Sequence, residues 1–178
     1  MILSDFDLEN YIKAKRLIIE PFESELIREN GLDLKLGNEI AIHNPDLKAD
    51  FVLDPGNEEH LKIEYIKQKS DERLVLPSNQ QVLLTTHEYI EMPDNLMGFV
   101  ELRSSWARHG LSMPPTIIDA GFKGDITLEV INHSTHNIAL KPGVRFAHII
   151  FAATMNRVKN TYAGKYLGQR GIRTPKLL

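Results

Sequence analysis

Short apolar or alternating runs, each cut off within a few positions by turn-forming residues, recur along most of this chain and leave little room for long helices. Leu32-Asp33-Leu34-Lys35-Leu36 alternates and stops at Gly37, and Val82-Leu83-Leu84-Thr85, Phe99-Val100-Glu101-Leu102, Ile126 to Ile131 and Phe146 to Phe151 follow. Pro77-Ser78-Asn79, Pro93-Asp94-Asn95 and Lys141-Pro142-Gly143 separate them. Many short strands at such spacing specify an all-β sandwich or barrel rather than a parallel α/β sheet. One helix is expected, at the start. Ser4 is its N-cap, Asp7 three residues on completes a capping box, and Leu8, Tyr11 and Ile12 form its apolar face. Lys13, Lys15 and Arg16 in its last turn suit the helix dipole.

Between Asn44 and Arg73 the chain is polar and charged, with a turn at Asp54-Pro55-Gly56-Asn57. No Gly/Ser/Pro-rich run flanks it, so it reads as an excursion on the barrel surface, not a linker. With no internal repeat or low-complexity tract, residues 1–178 are expected to form a single domain, long enough to bury about 70% of the unfolded surface. The chain carries 21 Lys and Arg against 24 Asp and Glu, a net charge of −3, which argues against nucleic-acid or anionic-membrane partners. No stretch approaches the roughly 20 apolar residues of a membrane span, and Met1-Ile2-Leu3-Ser4-Asp5 lacks the basic start of a signal peptide, so a cytoplasmic location is expected. An anionic ligand would need a local basic cluster. Residues 159–178 offer one: Lys159, Lys165, Arg170, Arg173 and Lys176 with no acidic residue. The segment reads either as a solvated, partly disordered tail or as a basic flap that closes over an anion.

The chain has no cysteine, which removes disulfides, thiol nucleophiles, iron–sulfur clusters and thiolate zinc sites together. Phosphate-binding glycine loops, zinc-protease motifs and the serine-hydrolase elbow are also missing, and none of the seven histidines forms an i, i+4 pair. Two clusters remain. In Arg103-Ser104-Ser105-Trp106-Ala107-Arg108, after a strand, two hydroxyls and two guanidiniums fall within six residues, and Ser104 or Ser105 is placed to cap a short helix. Such a turn binds oxyanions, or is simply a capped helix with arginines in water. In the second, Asp119 precedes a glycine turn, and Glu129 faces opposite to Ile126, Leu128 and Val130 on the next strand. Glu129 is either solvated or turned into a site, and Phe122 is either core or the wall of a sugar pocket.

Arg103-Ser104-Ser105-x-x-Arg108-x-Gly110, Ile118-Asp119-Ala120-Gly121-Phe122-x-Gly124-x-Ile126-Thr127-Leu128-Glu129 and Gly164-Lys165-Tyr166-x-Gly168-Gln169-x-Gly171 occur in that order. With Met1 to Asp5 and Asn30-Gly31-Leu32-Asp33-Leu34-Lys35-Leu36-Gly37, they closely resemble the dCTP deaminase family, whose fold is shared with trimeric dUTPases. The resemblance implies a distorted jelly-roll β-barrel, assembled as a homotrimer with active sites between subunits. It implies hydrolytic deamination of dCTP to dUTP and ammonia, in pyrimidine deoxynucleotide biosynthesis, without a catalytic metal, zinc or an organic cofactor.

By this similarity Glu129 is the general base, and Ser104 and Arg108 hold the water and stabilise developing charge. Arg103 and Ser105 contact phosphate, Asp119 accepts from the deoxyribose 3′-hydroxyl, and Phe122 packs where a 2′-hydroxyl would clash. Trp106, Ala107, Thr127, Leu128 and His148 complete the nucleotide-binding set, His148 standing where a Gln is common. Tyr162, Lys165 and Gln169 match a triphosphate-binding tail, with Mg²⁺ on the phosphates. Asp119 to Gly124 suits dUTPases equally, so a dUTPase, or a bifunctional enzyme taking dCTP to dUMP and pyrophosphate with Asp119 activating water, is the alternative. A non-catalytic nucleotide-binding relative would have lost one of Ser104, Arg108, Asp119 and Glu129, and all four are present.

Overall fold

A computed structural model of the protein describes residues 1–177; Leu178, the end of the expected tail, lies outside the described residues. Helix α1 (Asp5–Lys13) starts where its capping box puts it: Ser4 Oγ accepts from the Asp7 amide at 3.3 Å and the Asp7 carboxylate accepts from the Ser4 amide at 3.0 Å. The helix closes at Lys13, so Lys15 and Arg16 lie beyond its last turn, contrary to expectation. Lys15 turns the chain with a φ of 53°, and Arg16 instead stacks over the Tyr11 ring.

The remainder is mainly β, as the punctuated pattern requires. The strands are β1 (Ile18–Glu20), β2 (Ile27–Arg28), β3 (Gly31–His43), β4 (Tyr65–Lys69), β5 (Leu74–Leu76), β6 (Gln80–Glu91), β7 (Leu96–Leu102), β8 (Leu111–Ser112), β9 (Thr116–Ile118), β10 (Lys123–Asn132), β11 (Ile138–Leu140) and β12 (Arg145–Ala153). Ten of them form one sheet along the order β8-β10-β6-β3-β12-β7-β9, with β1 on β6 and both β2 and β4 on β3, while β5 and β11 pair separately. Leu32, Leu34, Leu36, Leu84, Phe146 and Phe151 project into the core fully buried, joined by Leu8 of α1. Truncating either phenylalanine to alanine would cost about 3–5 kcal/mol. No helix among the described residues is long and apolar enough to cross a membrane.

Two expectations need correction. The strand beginning near Leu32 does not stop at Gly37: β3 changes partners there, pairing Lys35 with Arg145 of β12 before the register shift and Ile40 with Leu84 of β6 after it. The polar stretch from Asn44 to Arg73 is also more than an excursion. It contains helix α2 (Glu58–Glu64) and strand β4, which pairs with β3 from His43↔Tyr65 to Glu39↔Lys69. Tyr65-Ile66-Lys67-Gln68-Lys69 carries no apolar stripe because β4 pairs on one side only and is largely exposed.

Candidate active site

The sheet curls until strands near its two ends face one another, and a cavity of about 320 Å³ lies in the gap. Thr127 and Glu129 of β10 form one wall, and Thr116 to Ile118 of β9, continuing to Asp119 and Phe122, form the other. The alternation of β10 decides which side chains reach it. Leu128 and Val130, opposite Leu84 and Val82 of β6, are 1% and 0% exposed in the core. Glu129, between them and opposite Leu83, therefore emerges on the other face. Ile126 borders the cavity from a register shift between Asp125 and Thr127. There Thr86 Oγ1 accepts from the Ile126 amide at 3.0 Å and donates to the Glu88 carbonyl at 2.8 Å, so the Ile126 amide keeps a partner at the irregular step.

Glu129 is placed for proton transfer. Its Oε2 is buried without a hydrogen-bond partner, and burial raises its pKa above the ordinary carboxyl value, opposed only by a hydrogen bond from its own backbone. Tyr65, on β4, lines the same cavity with a phenol pushed up to about 12 by burial and then by the charges of Glu64 and Glu129.

Asp119 opens a tight turn in which the Phe122 amide donates to the Asp119 carbonyl at 3.1 Å. Gly121 takes a φ of 84° at the third position, and a Cβ there would stand 2.5 Å from Thr161 Cβ, so glycine is required twice over. The turn presents Asp119 at the cavity and buries Phe122, whose ring meets Tyr162 edge-on at 5.7 Å. Phe122 is thus both core and cavity wall.

The Arg103–Arg108 segment lies elsewhere. It forms a four-residue helix, α3 (Ser104–Ala107), whose N-cap is Arg103 with no side-chain cap bond, so neither serine caps it as expected. Ser104, Ser105, Ala107 and Arg108 are exposed and do not line the cavity. Trp106 packs on Phe146 and donates its indole N–H to the Arg145 carbonyl at 2.8 Å. Arg103 and His148 converge instead on Asp33, which is only 2% exposed. His148 Nδ1 lies 3.0 Å from its carboxylate, Arg103 Nε 3.4 Å and Arg145 Nη1 3.8 Å.

The C-terminal segment docks on the barrel at a few points while most of its residues stay exposed. Tyr162, Tyr166, Gln169 and Arg173 line the cavity, and the Tyr162 amide donates to the Ala120 carbonyl at 2.9 Å. Lys165 is exposed, its ammonium on the Leu177 carbonyl. Of the expected site residues, the cavity therefore gathers Asp119, Phe122, Thr127, Glu129, Tyr162 and Gln169. It leaves out Leu128, which is core, together with His148, Lys165 and residues 103–108. Tyr65 and Gln81 were not anticipated, and Arg173 only as one of the basic residues of the tail. The unbroken apolar run of Val82 to Leu84 masks the alternation that aims Gln81 and Leu83 outward, while Tyr65 sits in the stretch read as surface.

Compared with known structures, the fold is similar to the crystal structure of 2′-deoxycytidine 5′-triphosphate deaminase from Agrobacterium tumefaciens, with a TM-score of 0.65 at 19% identity, covering 86% of this chain and 48% of that one. The family described as dCTP deaminase-like matches residues 2–154. The dCTP deaminase of Sulfurisphaera tokodaii is 48% identical over 176 residues, 99% of this chain and 92% of that protein. The dCTP deaminase of Caldivirga maquilingensis is 46% identical over 177 residues, 99% of this chain and 96% of that protein. The chain belongs to the dCTP deaminase-like family.

Proposed function

We propose that the protein is a dCTP deaminase, hydrolysing dCTP to dUTP and ammonia. The observation that carries this reading is Glu129: a carboxyl group in a nucleotide-sized cavity, with one buried oxygen unpartnered and a proton affinity raised by desolvation. Such a group accepts a proton from water and returns it, holding it more tightly than an ordinary carboxylate does.

In the proposed reaction Glu129 removes one proton from a water whose oxygen bonds to C4 of cytosine, and the C4–N3 π pair moves to N3, which receives that proton. Glu129 then takes the proton of the new hydroxyl and delivers it to the exocyclic nitrogen. The C4–N4 bond breaks, ammonia leaves, and C4 keeps the oxygen as a carbonyl. Ser104 and Arg108 fix the water and the developing charge, and their exposure away from the chain's own cavity supports their acting in the cavity of a neighbouring copy. That arrangement requires an oligomer, which we take to be a homotrimer.

Asp119 takes the 3′-hydroxyl and Phe122 packs against the deoxyribose. Arg103 and Ser105 hold phosphate, Arg103 in the orientation set by Asp33. Trp106, Ala107, Thr127, Leu128 and His148 shape the nucleotide site through the elements that carry them. Tyr162, Lys165 and Gln169 cover the triphosphate, which enters with its own Mg²⁺ as part of the substrate.

Incubation with dCTP and Mg²⁺, resolving ammonia, dUTP, dUMP and pyrophosphate, tests this. Ammonia with accumulating dUTP is expected. Absence of ammonia overturns the reading, and pyrophosphate with dUMP instead of dUTP would mean that Asp119 also directs water to the α-phosphate.

A further inference from the structure

Strand β10 is covered by β6 along one edge, but on the other β8 pairs only with Ile131 and Asn132. An open edge of this kind offers unpaired backbone groups to any extended segment. The tail uses two of them, the Gly168 amide donating to the Lys123 carbonyl at 2.7 Å and the Asp125 amide to the Gln169 carbonyl at 3.0 Å, and the Arg173 amide donates to the side-chain Oγ1 of Thr127 at 3.2 Å. Backbone pairing alone sets no register, so side chains must.

We infer that Asp125, supported by Glu39 and Lys67, is a latch that fixes the turn at Arg170-Gly171-Ile172 and thereby positions Gln169 and Arg173 over the cavity. Asp125 is 8% exposed, its Oδ2 accepts from the Gly171 amide at 2.7 Å, and its Oδ1 faces Arg170 Nε at 3.5 Å. The next amide, of Ile172, donates to Glu39 Oε2 at 2.9 Å, and Lys67 Nζ donates to the Ile172 carbonyl at 2.9 Å. Ile172 is 2% exposed and packs against Ala41 and Leu83. These are charge-assisted bonds, roughly twice as strong as neutral ones. Gly171 takes a φ of 64°, and a Cβ there would stand 2.5 Å from Glu39 Oε2, so the turn is seated between two carboxylates. Asp125, Glu39, Lys67 and Ile172 do not line the cavity, whereas Gln169 and Arg173, on either side of the turn, do. Asp125 is therefore a positioning residue.

The latch rests on the geometry of this chain, and its effect on turnover rests on the deaminase reading. Full-length Asp125→Asn and Gly171→Ala are compared with wild type by trypsin digestion without nucleotide, following cleavage after Arg170 and Arg173 by mass spectrometry, and by dCTP kinetics. Gly171→Ala breaks the latch from the tail side and spares the barrel should Asp125→Asn fail to fold. Tail cleavage roughly ten-fold faster, with KM for dCTP raised more than kcat is lowered, is expected. Unchanged cleavage in Gly171→Ala overturns the latch, and faster cleavage with unchanged KM overturns the positioning role. Wild-type protein inert toward dCTP would refute the deaminase reading and leave the cleavage result to decide the latch.

Discussion

Glu88 and Glu129 stand on adjacent strands, each with a buried carboxyl oxygen that has no hydrogen-bond partner, and each with its proton affinity raised chiefly by desolvation. Only Glu129 lines the cavity. Glu88, 1% exposed, is pushed up to about 7 although its Oε2 accepts from the Lys35 amide at 2.9 Å, and it lies beside the irregular step of β6 and β10, its carbonyl bonded by Thr86. Glu129 is the less enclosed of the two. Raised proton affinity thus reports lost hydration; access to a ligand-sized space marks the candidate for chemistry.

The largest effect should break the pair apart. Glu129→Gln is expected to lower ammonia release by roughly 10²–10⁴-fold while retaining nucleotide binding, as removal of a general base does. In wild type the acidic limb of kcat/KM should lie above the ordinary carboxyl value of 4.5, because Glu129 must lose its proton to act, and residual turnover of the variant should lack that limb. Glu88→Gln should leave turnover near wild type. A comparable loss there would end the distinction.

A second test asks what completes Glu129. Arg108→Ala and Glu129→Gln proteins, each inactive, are denatured together and refolded as mixed oligomers. Intersubunit sites predict recovery of about a quarter of wild-type activity, since some sites then join an intact Glu129 to an intact Arg108. No recovery would place both residues in one subunit's site.

The smaller effect is on stability. Glu88 has a folded pKa raised from 4.5 to about 7, so the native state keeps a proton that the unfolded chain releases. The contribution of Glu88 to native stability is then highest below pH 4.5, falls between about 4.5 and 7, and levels off above, by up to roughly 3 kcal/mol. Glu88→Gln should remove that fall and exceed wild type in urea midpoint at pH 8 but not at pH 4. Glu129→Gln should change in the same direction, because its desolvation has the same sign.

Some of this was legible in the residues. The capping box of α1 is local, three residues across, and folded as read. The alternation of β10 correctly turned Glu129 away from Leu128 and Val130, because side-chain direction follows directly from strand period. Strand β4 was not legible, since pairing on one side only imposes no apolar stripe, and with it went Tyr65 and the Lys67 contact to the tail. Asp33 alternates with leucines as though solvated, yet it is buried beneath Arg103, Arg145 and His148, all of them far away in sequence.

The sequence by itself determined the β architecture, the starting helix, the facing of Glu129 and the motifs of the family, because propensity, period and motif spacing act over a few residues. Only the tertiary structure decided that the sheet's two ends face one another across a cavity, that the Arg103–Arg108 segment lies outside it, and that the basic tail docks on β10 through Asp125 and Glu39. Those outcomes depend on curl, on which edges remain unpaired, and on charges brought together across more than a hundred residues, none of which a local pattern encodes.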